Sequence, residues 1–112
     1  MYKTYVVDID GTICTSVDGK YENALPIRER IEALNRLYDE GHKIIYLTAR
    51  GMGRFNNDRY LAERMFWKLT RDQLNNWGVK YNDMFLGKPS GDVYIDDKGC
   101  KDKDFFGELI DD

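Results

Sequence analysis

Thr4-Tyr5-Val6-Val7-Asp8-Ile9-Asp10-Gly11-Thr12 is the stretch on which the reading of the fold turns. Its first six residues are mostly β-branched or aromatic with little alternation, the pattern of a strand buried on both faces. Asp10-Gly11-Thr12 then ends the strand, because glycine and short polar side chains favour turns. Downstream, residues 13–25 carry Ser, Asp, Gly and Asn without a helical period, and predict a loop or a short hairpin centred on Asp18-Gly19. Pro26 suits a first helical turn. Ile27, Ile31, Leu34 and Tyr38 follow at helical spacing, and Glu40-Gly41 closes the helix with a capping glycine.

A second apolar run, Lys43 to Leu47, stops at Thr48-Ala49-Arg50-Gly51. Residues 56–77 predict a long helix with Leu61, Met65, Leu69 and Trp77 on its inner face, Thr70-x-x-Gln73 reading as an internal capping box and Gly78 as its end. The aromatic residues Tyr60, Phe66, Trp67 and Trp77 are assigned to the core rather than to a base-stacking platform. Tyr81 to Leu86 and Val93 to Ile95 predict two more strands, with the loop 87–91 between them and Asp96-Asp97 behind the second. Phe105 to Ile110 predicts a last short helix. Strands alternating with helices imply an α/β fold of βαβ units, with right-handed crossovers and helices on both faces of a parallel sheet.

Length and composition bound the function. A chain of 112 residues, 42% hydrophobic and 13% aromatic, predicts a single domain over residues 1–112 with a substantial core, since domains most often run to roughly 100–150 residues. The longest apolar runs fall far short of the about 20 residues that cross a bilayer, and Asp8 stands where a signal peptide needs its apolar stretch. The expected location is therefore the cytoplasm, with no membrane partner. Seventeen basic against 20 acidic residues give a net charge of −3, which disfavours non-specific nucleic-acid binding. Cys14 and Cys100 are too few and too far apart for a disulfide framework or a zinc site and read as structural, as does the lone His42.

The polar residues fall in a telling place. In open parallel sheets ligands bind outside the carboxyl ends of the strands, where this chain puts Asp8 and Asp10, then Thr48, then Lys88, then Asp96 and Asp97. Four carboxylates gathered in one crevice repel unless a cation joins them, and oxygen-only donors select a hard ion, best Mg2+. Lys88 and Thr48, with backbone amides, match a dianionic phosphoryl group. One carboxylate in line with a bound phosphorus can act as a nucleophile, and a second, two residues on, can protonate the leaving oxygen and later activate water. Asp8 and Asp10 suit those roles.

Asp8-Ile9-Asp10-Gly11-Thr12 resembles the first motif of the haloacid dehalogenase (HAD) superfamily. Leu47-Thr48-Ala49-Arg50, Gly87-Lys88-Pro89 and Tyr94-Ile95-Asp96-Asp97 resemble the second, third and fourth, in that order. Any one motif is weak, but four in order, each at a predicted strand end, are strong. The resemblance implies a Rossmann-like fold without a cap domain and a Mg2+-dependent phosphomonoester hydrolase working through an aspartyl-phosphate. Asp8 would be nucleophile and metal ligand. Asp10 would be general acid/base and lend its backbone carbonyl to Mg2+, Thr48, Ala49 and Lys88 would hold the phosphoryl group, Asp96 and Asp97 would complete the metal shell, and Thr12 would stiffen the loop. The second half of the chain is similar to small HAD proteins labelled capsular polysaccharide biosynthesis phosphatases, and more faintly to the phosphatase halves of polynucleotide kinase-phosphatases.

Each residue also has a bland reading: a turn at Asp10-Gly11, a helix cap at Thr48, a surface charge at Lys88, a solvated strand end at Asp96-Asp97. Together these would need six coincidences in register. Arg50, Arg54 and Arg59 are candidates either for contact with the non-reacting part of the substrate, Arg50 foremost, or for a solvated helix start. Positions 13–46 and 51–86 are already consumed by strand and helix, so no cap domain fits between the motifs. An open site accepts large substrates or borrows a lid from a second subunit of a homo-oligomer. The acidic balance favours a small phosphorylated metabolite, a sugar or nucleotide phosphate, over a polynucleotide end. A phosphate-binding module that accepts a phosphoryl group without turnover is the alternative outside enzymes, and the order of the motifs argues against a receiver domain.

Overall fold

β1 (Thr4–Val7) and β2 (Lys43–Thr48) pair in parallel, with Thr4 opposite Lys43 and Val7 opposite Tyr46. β2 in turn pairs β3 (Asp83–Leu86), with Tyr46 opposite Met84 and Thr48 opposite Leu86. This computed structural model describes residues 1–110. Helices α1 (Arg28–Asp39) and α2 (Arg59–Asn76) form the crossovers of the three-stranded sheet, ordered β1-β2-β3, and α3 (Asp102–Ile110) packs on α1. The fold is α/β, a small Rossmann-like parallel sheet without a cap.

Residues in register across parallel strands share a face. Val7, Ile44, Tyr46, Thr48, Met84 and Leu86 accordingly form one buried layer against Ile31, Leu34, Leu37, Phe66 and Leu74 of the helices. The other layer is more open: Val6 is 61% exposed, so β1 is not buried on both faces as its composition suggested. The helix expected after Pro26 begins at Arg28, buries Ile31, Ala33, Leu34 and Leu37, and ends at Asp39, with Gly41 past its cap at a φ of 103° that glycine adopts at little cost. At the α1–α3 contact Arg30 donates to Asp102 at 2.8 Å and lies over the Phe106 ring. The Arg30 hydrogen bond and charge hold the Asp102 carboxyl below its ordinary range.

Two expectations need correction. The inner face of α2 is Ala62, Phe66, Thr70 and Leu74, rotated one residue, or roughly 100°, from the expected stripe. Leu61 and Met65 are exposed, and of the four aromatics assigned to the core only Phe66 is buried, Trp77 being half-buried and Tyr60 80% exposed. Thr70 is fully buried in mid-helix, so it restarts nothing; the side chain that caps α2 is Asp58, which accepts from the Leu61 amide. Secondly, Val93 to Ile95 is not a strand, and its residues are 74, 54 and 94% exposed. The Tyr94 hydroxyl donates to the Pro89 carbonyl at 2.7 Å and accepts from the Gly91 amide at 3.1 Å, folding this segment back on its own loop instead of into the sheet.

Tyr46 carries a fully buried hydroxyl with no hydrogen-bond partner among the described residues, and burial pushes its phenol well above the ordinary range. An unpaired buried hydroxyl costs free energy that its deletion returns. Tyr46→Phe is therefore expected to leave stability unchanged or raise it by about 1 kcal/mol. Urea unfolding checks this, and a loss of more than that amount would reveal a partner for the hydroxyl.

Candidate active site

Beyond β1 the chain turns sharply. The Ile9 carbonyl accepts from the amides of Thr12 and Ile13, and the Gly11 amide donates to the Cys14 carbonyl at 2.9 Å. Ile9 is wholly buried between Asp8 and Asp10, which leaves both carboxylates at the mouth of the sheet. The segment that follows, expected as a loop or a short hairpin, folds back as a loop without strands: the Thr15 amide donates to the Leu25 carbonyl, the Ile27 amide to the Ile13 carbonyl, Asp18-Gly19 forms a turn, and Tyr21–Asn23 is a single helical turn. This flap covers one side of a cavity of about 290 Å³, which Asp8, Asp10, Thr48, Ala49, Arg50 and Lys88 also line. Three strand ends thus bring their polar residues to one place.

Asp8 is the least encumbered of the two carboxylates. Its Oδ2 accepts from the Thr12 hydroxyl at 3.3 Å and its Oδ1 lies 3.7 Å from the Lys88 ammonium. Burial raises its pKa above the ordinary 3.8, and the Asp10 charge adds to that; Lys88, the Ile9 amide and Thr12 pull the other way. Lys88 also stands 4.5 Å over the Tyr94 ring, a cation held by a carboxylate and an aromatic face at once. Thr48 is buried; its hydroxyl accepts from the Arg50 amide at 3.2 Å and its carbonyl accepts from the Lys88 amide at 3.2 Å, tying the β2 and β3 ends together.

Arg50 lines the cavity, yet its guanidinium is engaged by the protein itself. Its side chain is fully buried, with Nε donating to Asp10 Oδ2 at 2.9 Å and Nη2 to Asp10 Oδ1 at 3.0 Å, a two-pronged ion pair. Nη1 donates to the Thr70 hydroxyl at 3.2 Å and to Gln73 Oε1 at 2.6 Å, and the guanidinium lies 4.9 Å from the Tyr21 ring centre. Gln73 in turn donates to the Tyr21 carbonyl, and the Tyr21 hydroxyl accepts from the Gly51 amide. Thr70-x-x-Gln73, read in the sequence as a cap, is in the fold the receptor for Arg50. Sequence reasoning missed Tyr21, Thr70 and Gln73 as parts of the site, and the spacing of Thr70 and Gln73 on one helix face was the signal available. Cys14 packs under the pair, its thiol pushed up to about 12 first by burial and then by the Asp10 charge, which suits the structural role expected of it. Cys100, by contrast, is exposed.

Asp96 and Asp97 are the sequence-predicted site residues that the fold does not bring in. Both are exposed, neither lines the cavity, and Asp96 accepts instead from the Lys98 amide at 2.8 Å. Without the strand at 93–95, nothing carries them to the mouth of β1. Among the described residues no three acidic, His or Cys side chains cluster at metal-ligand spacing, and the Asp10 carboxylate is held by Arg50, which leaves that residue its backbone carbonyl. Without Asp96 and Asp97, the Asp8 carboxylate and the Asp10 carbonyl are a thin donor set for a divalent ion, which needs several oxygens at close range. The arrangement does not fit the Mg2+ shell that the sequence implied.

The fold recurs in a known structure. A crystal structure of a target protein from Vibrio cholerae superposes with a TM-score of 0.84 at 28% sequence identity, over 92% of this chain and 86% of that one. No protein-family model and no curated protein matches the chain.

Proposed function

We propose that this protein is a phosphomonoester hydrolase of the HAD type, acting on a small phosphorylated metabolite with Asp8 as nucleophile. The observation that carries the reading is the convergence of Asp8, Thr48, Ala49 and Lys88 from three separate strand ends on one cavity. A phosphoryl group there would meet the Lys88 ammonium and the Thr48 hydroxyl, while an Asp8 oxygen attacks phosphorus. The bond to the leaving oxygen breaks with its electron pair, giving an acyl phosphate on Asp8 and an alkoxide that takes a proton. Water then attacks the same phosphorus, the Asp8 oxygen leaves, and phosphate is released.

Asp10 is the nearest candidate for the proton transfers, yet both of its oxygens accept from Arg50. It can serve the leaving oxygen only by giving up one of those bonds, so Arg50 acts as a positioning residue that decides where Asp10 points. Lys88 attracts the phosphoryl group and at the same time neutralises Asp8, which keeps a dianionic substrate from being repelled by its nucleophile. No helix among the described residues is long and apolar enough to cross a membrane.

The test is phosphate release from p-nitrophenyl phosphate and a panel of sugar and nucleotide phosphates, assayed with Mg2+ present and beside 3′- and 5′-phosphorylated oligonucleotides. Release from the small esters is expected. Activity confined to the oligonucleotides would reverse the choice of substrate class, and an aspartyl-phosphate that persists for many minutes would favour a phosphoryl-accepting module over an enzyme.

A further inference from the structure

A second cavity of about 370 Å³ adjoins the first and shares with it Asp18, Gly19, Tyr21 and Ala49. Its remaining walls are Gly53, Arg54, Phe66 and Ser90. Each cavity is near the lower end of the range for small-molecule sites, roughly 300–1,000 Å³. The first three arginines after Thr48 have different surroundings. Arg50 is consumed by Asp10, Thr70 and Gln73. The stem of Arg59 lies so close to Gly87 that a Cβ there would collide with it, and Arg59 lines neither cavity. Arg54 alone lines the second cavity, and its guanidinium makes no ion pair with any acidic side chain among the described residues.

Arg54 is exposed, and one aromatic contact orients its head. Its guanidinium stacks 5.5 Å over the Phe66 ring. Its loop is pinned beyond Phe55 by Asn56 and Asn57, both in left-handed conformation with φ of 53° and 62°; the Asn57 amide donates to the Met52 carbonyl, and Asn57 Oδ1 accepts from the Ser90 amide at 2.8 Å. Ser90 and Arg54 are thereby fixed on the walls of the same cavity. Asp18 on the wall shared with the first cavity is its one carboxylate and does not pair with Arg54, so a guanidinium with no ion-pair partner lines a cavity of small-molecule size, a fork suited to a carboxylate or a second phosphate. One such cation in a confined space is too little for a polynucleotide, whose backbone asks for several.

We infer that the second cavity holds the part of the substrate that is not transferred, and that Arg54 selects a small phosphomonoester bearing a second anionic group, a carboxylate above all. The inference rests on the hydrolase reading for which part of the ligand goes where, but its test does not depend on turnover. Calorimetric binding of phosphonoacetate, 3-phosphonopropionate and 4-phosphonobutyrate is compared with that of ethyl-, propyl- and butylphosphonate, matched in chain length. In the wild-type protein the carboxylated ligand of at least one length is expected to bind about 10-fold tighter or more. In Arg54→Met that preference is lost, and in Arg54→Lys part of it survives, because a point charge replaces the fork. Equal affinities within every pair, a preference undiminished in Arg54→Met, or no binding of any ligand would overturn the inference. Hydrolysis of p-nitrophenyl phosphate by the wild-type protein, measured alongside, reports on the hydrolase reading alone.

Discussion

Asp8→Asn is expected to abolish phosphate release, by about 10⁴-fold or more, while raising the melting temperature at neutral pH. The loss follows because an amide oxygen cannot form the acyl phosphate, and the remaining groups of the cavity only bind and orient. The gain follows from burial. The Asp8 pKa in the folded protein lies above 3.8, chiefly because desolvation disfavours its charge, so the native state binds more protons than the unfolded chain between 3.8 and that raised value. Stability therefore falls as pH rises through this window, and above it the wild-type protein carries the full cost of an ionised, partly desolvated carboxylate. Asparagine is neutral at every pH. The advantage of Asp8→Asn should be greatest at neutral pH and shrink as pH falls toward 3.8. Retained phosphate release would remove Asp8 as nucleophile. A lower melting temperature at neutral pH would mean that Lys88 and Thr12 outweigh the burial.

Arg50→Met is expected to cost about 3–5 kcal/mol, because it leaves the Asp10 carboxylate and the Thr70 and Gln73 acceptors facing an apolar chain. For a domain of this size that is a fall in Tm on the order of 10–20 °C. Arg50→Lys should land between, since one ammonium cannot serve both Asp10 oxygens and the α2 acceptors at once. The decisive measurement is the cycle with Asp10→Asn. Once the charge is gone the orphaned group is cheaper to bury, so the double variant should be more stable than the sum of the singles predicts, by about 1–3 kcal/mol. Additive effects would show that Arg50 acts through packing on Tyr21 rather than through the pair.

The legible part of the site is the part built from chain neighbours. Asp8, Thr48 and Lys88 each close an apolar or β-branched run, and the carboxyl ends of parallel strands all emerge on one edge of the sheet, so finding the three runs places the three residues together. Asp96-Asp97 follows the same rule in the sequence and breaks it in the fold. Its run is three residues long, and the Tyr94 hydroxyl finds partners at Pro89 and Gly91 that compete with pairing in the sheet. The inner face of α2 was misread for a related reason. Apolar spacing favoured Leu61 and Met65, whereas the buried face includes Thr70, a polar residue whose burial is tolerable only because a guanidinium arrives from the β2 end.

By itself, the sequence determined the α/β class, the positions of the three strands that form and the three residues that meet at their ends, because alternation, glycine stops and strand-end polarity act within a few residues of one another. Only the tertiary structure decided what those residues touch. Arg50 and Asp10 are forty positions apart, with Thr70 and Gln73 a further twenty or more away, and no local pattern distinguishes an arginine in solvent from one that meets a carboxylate, a hydroxyl and an amide in the interior. The burial of a charge depends on every partner arriving together, and that is a property of the packed chain.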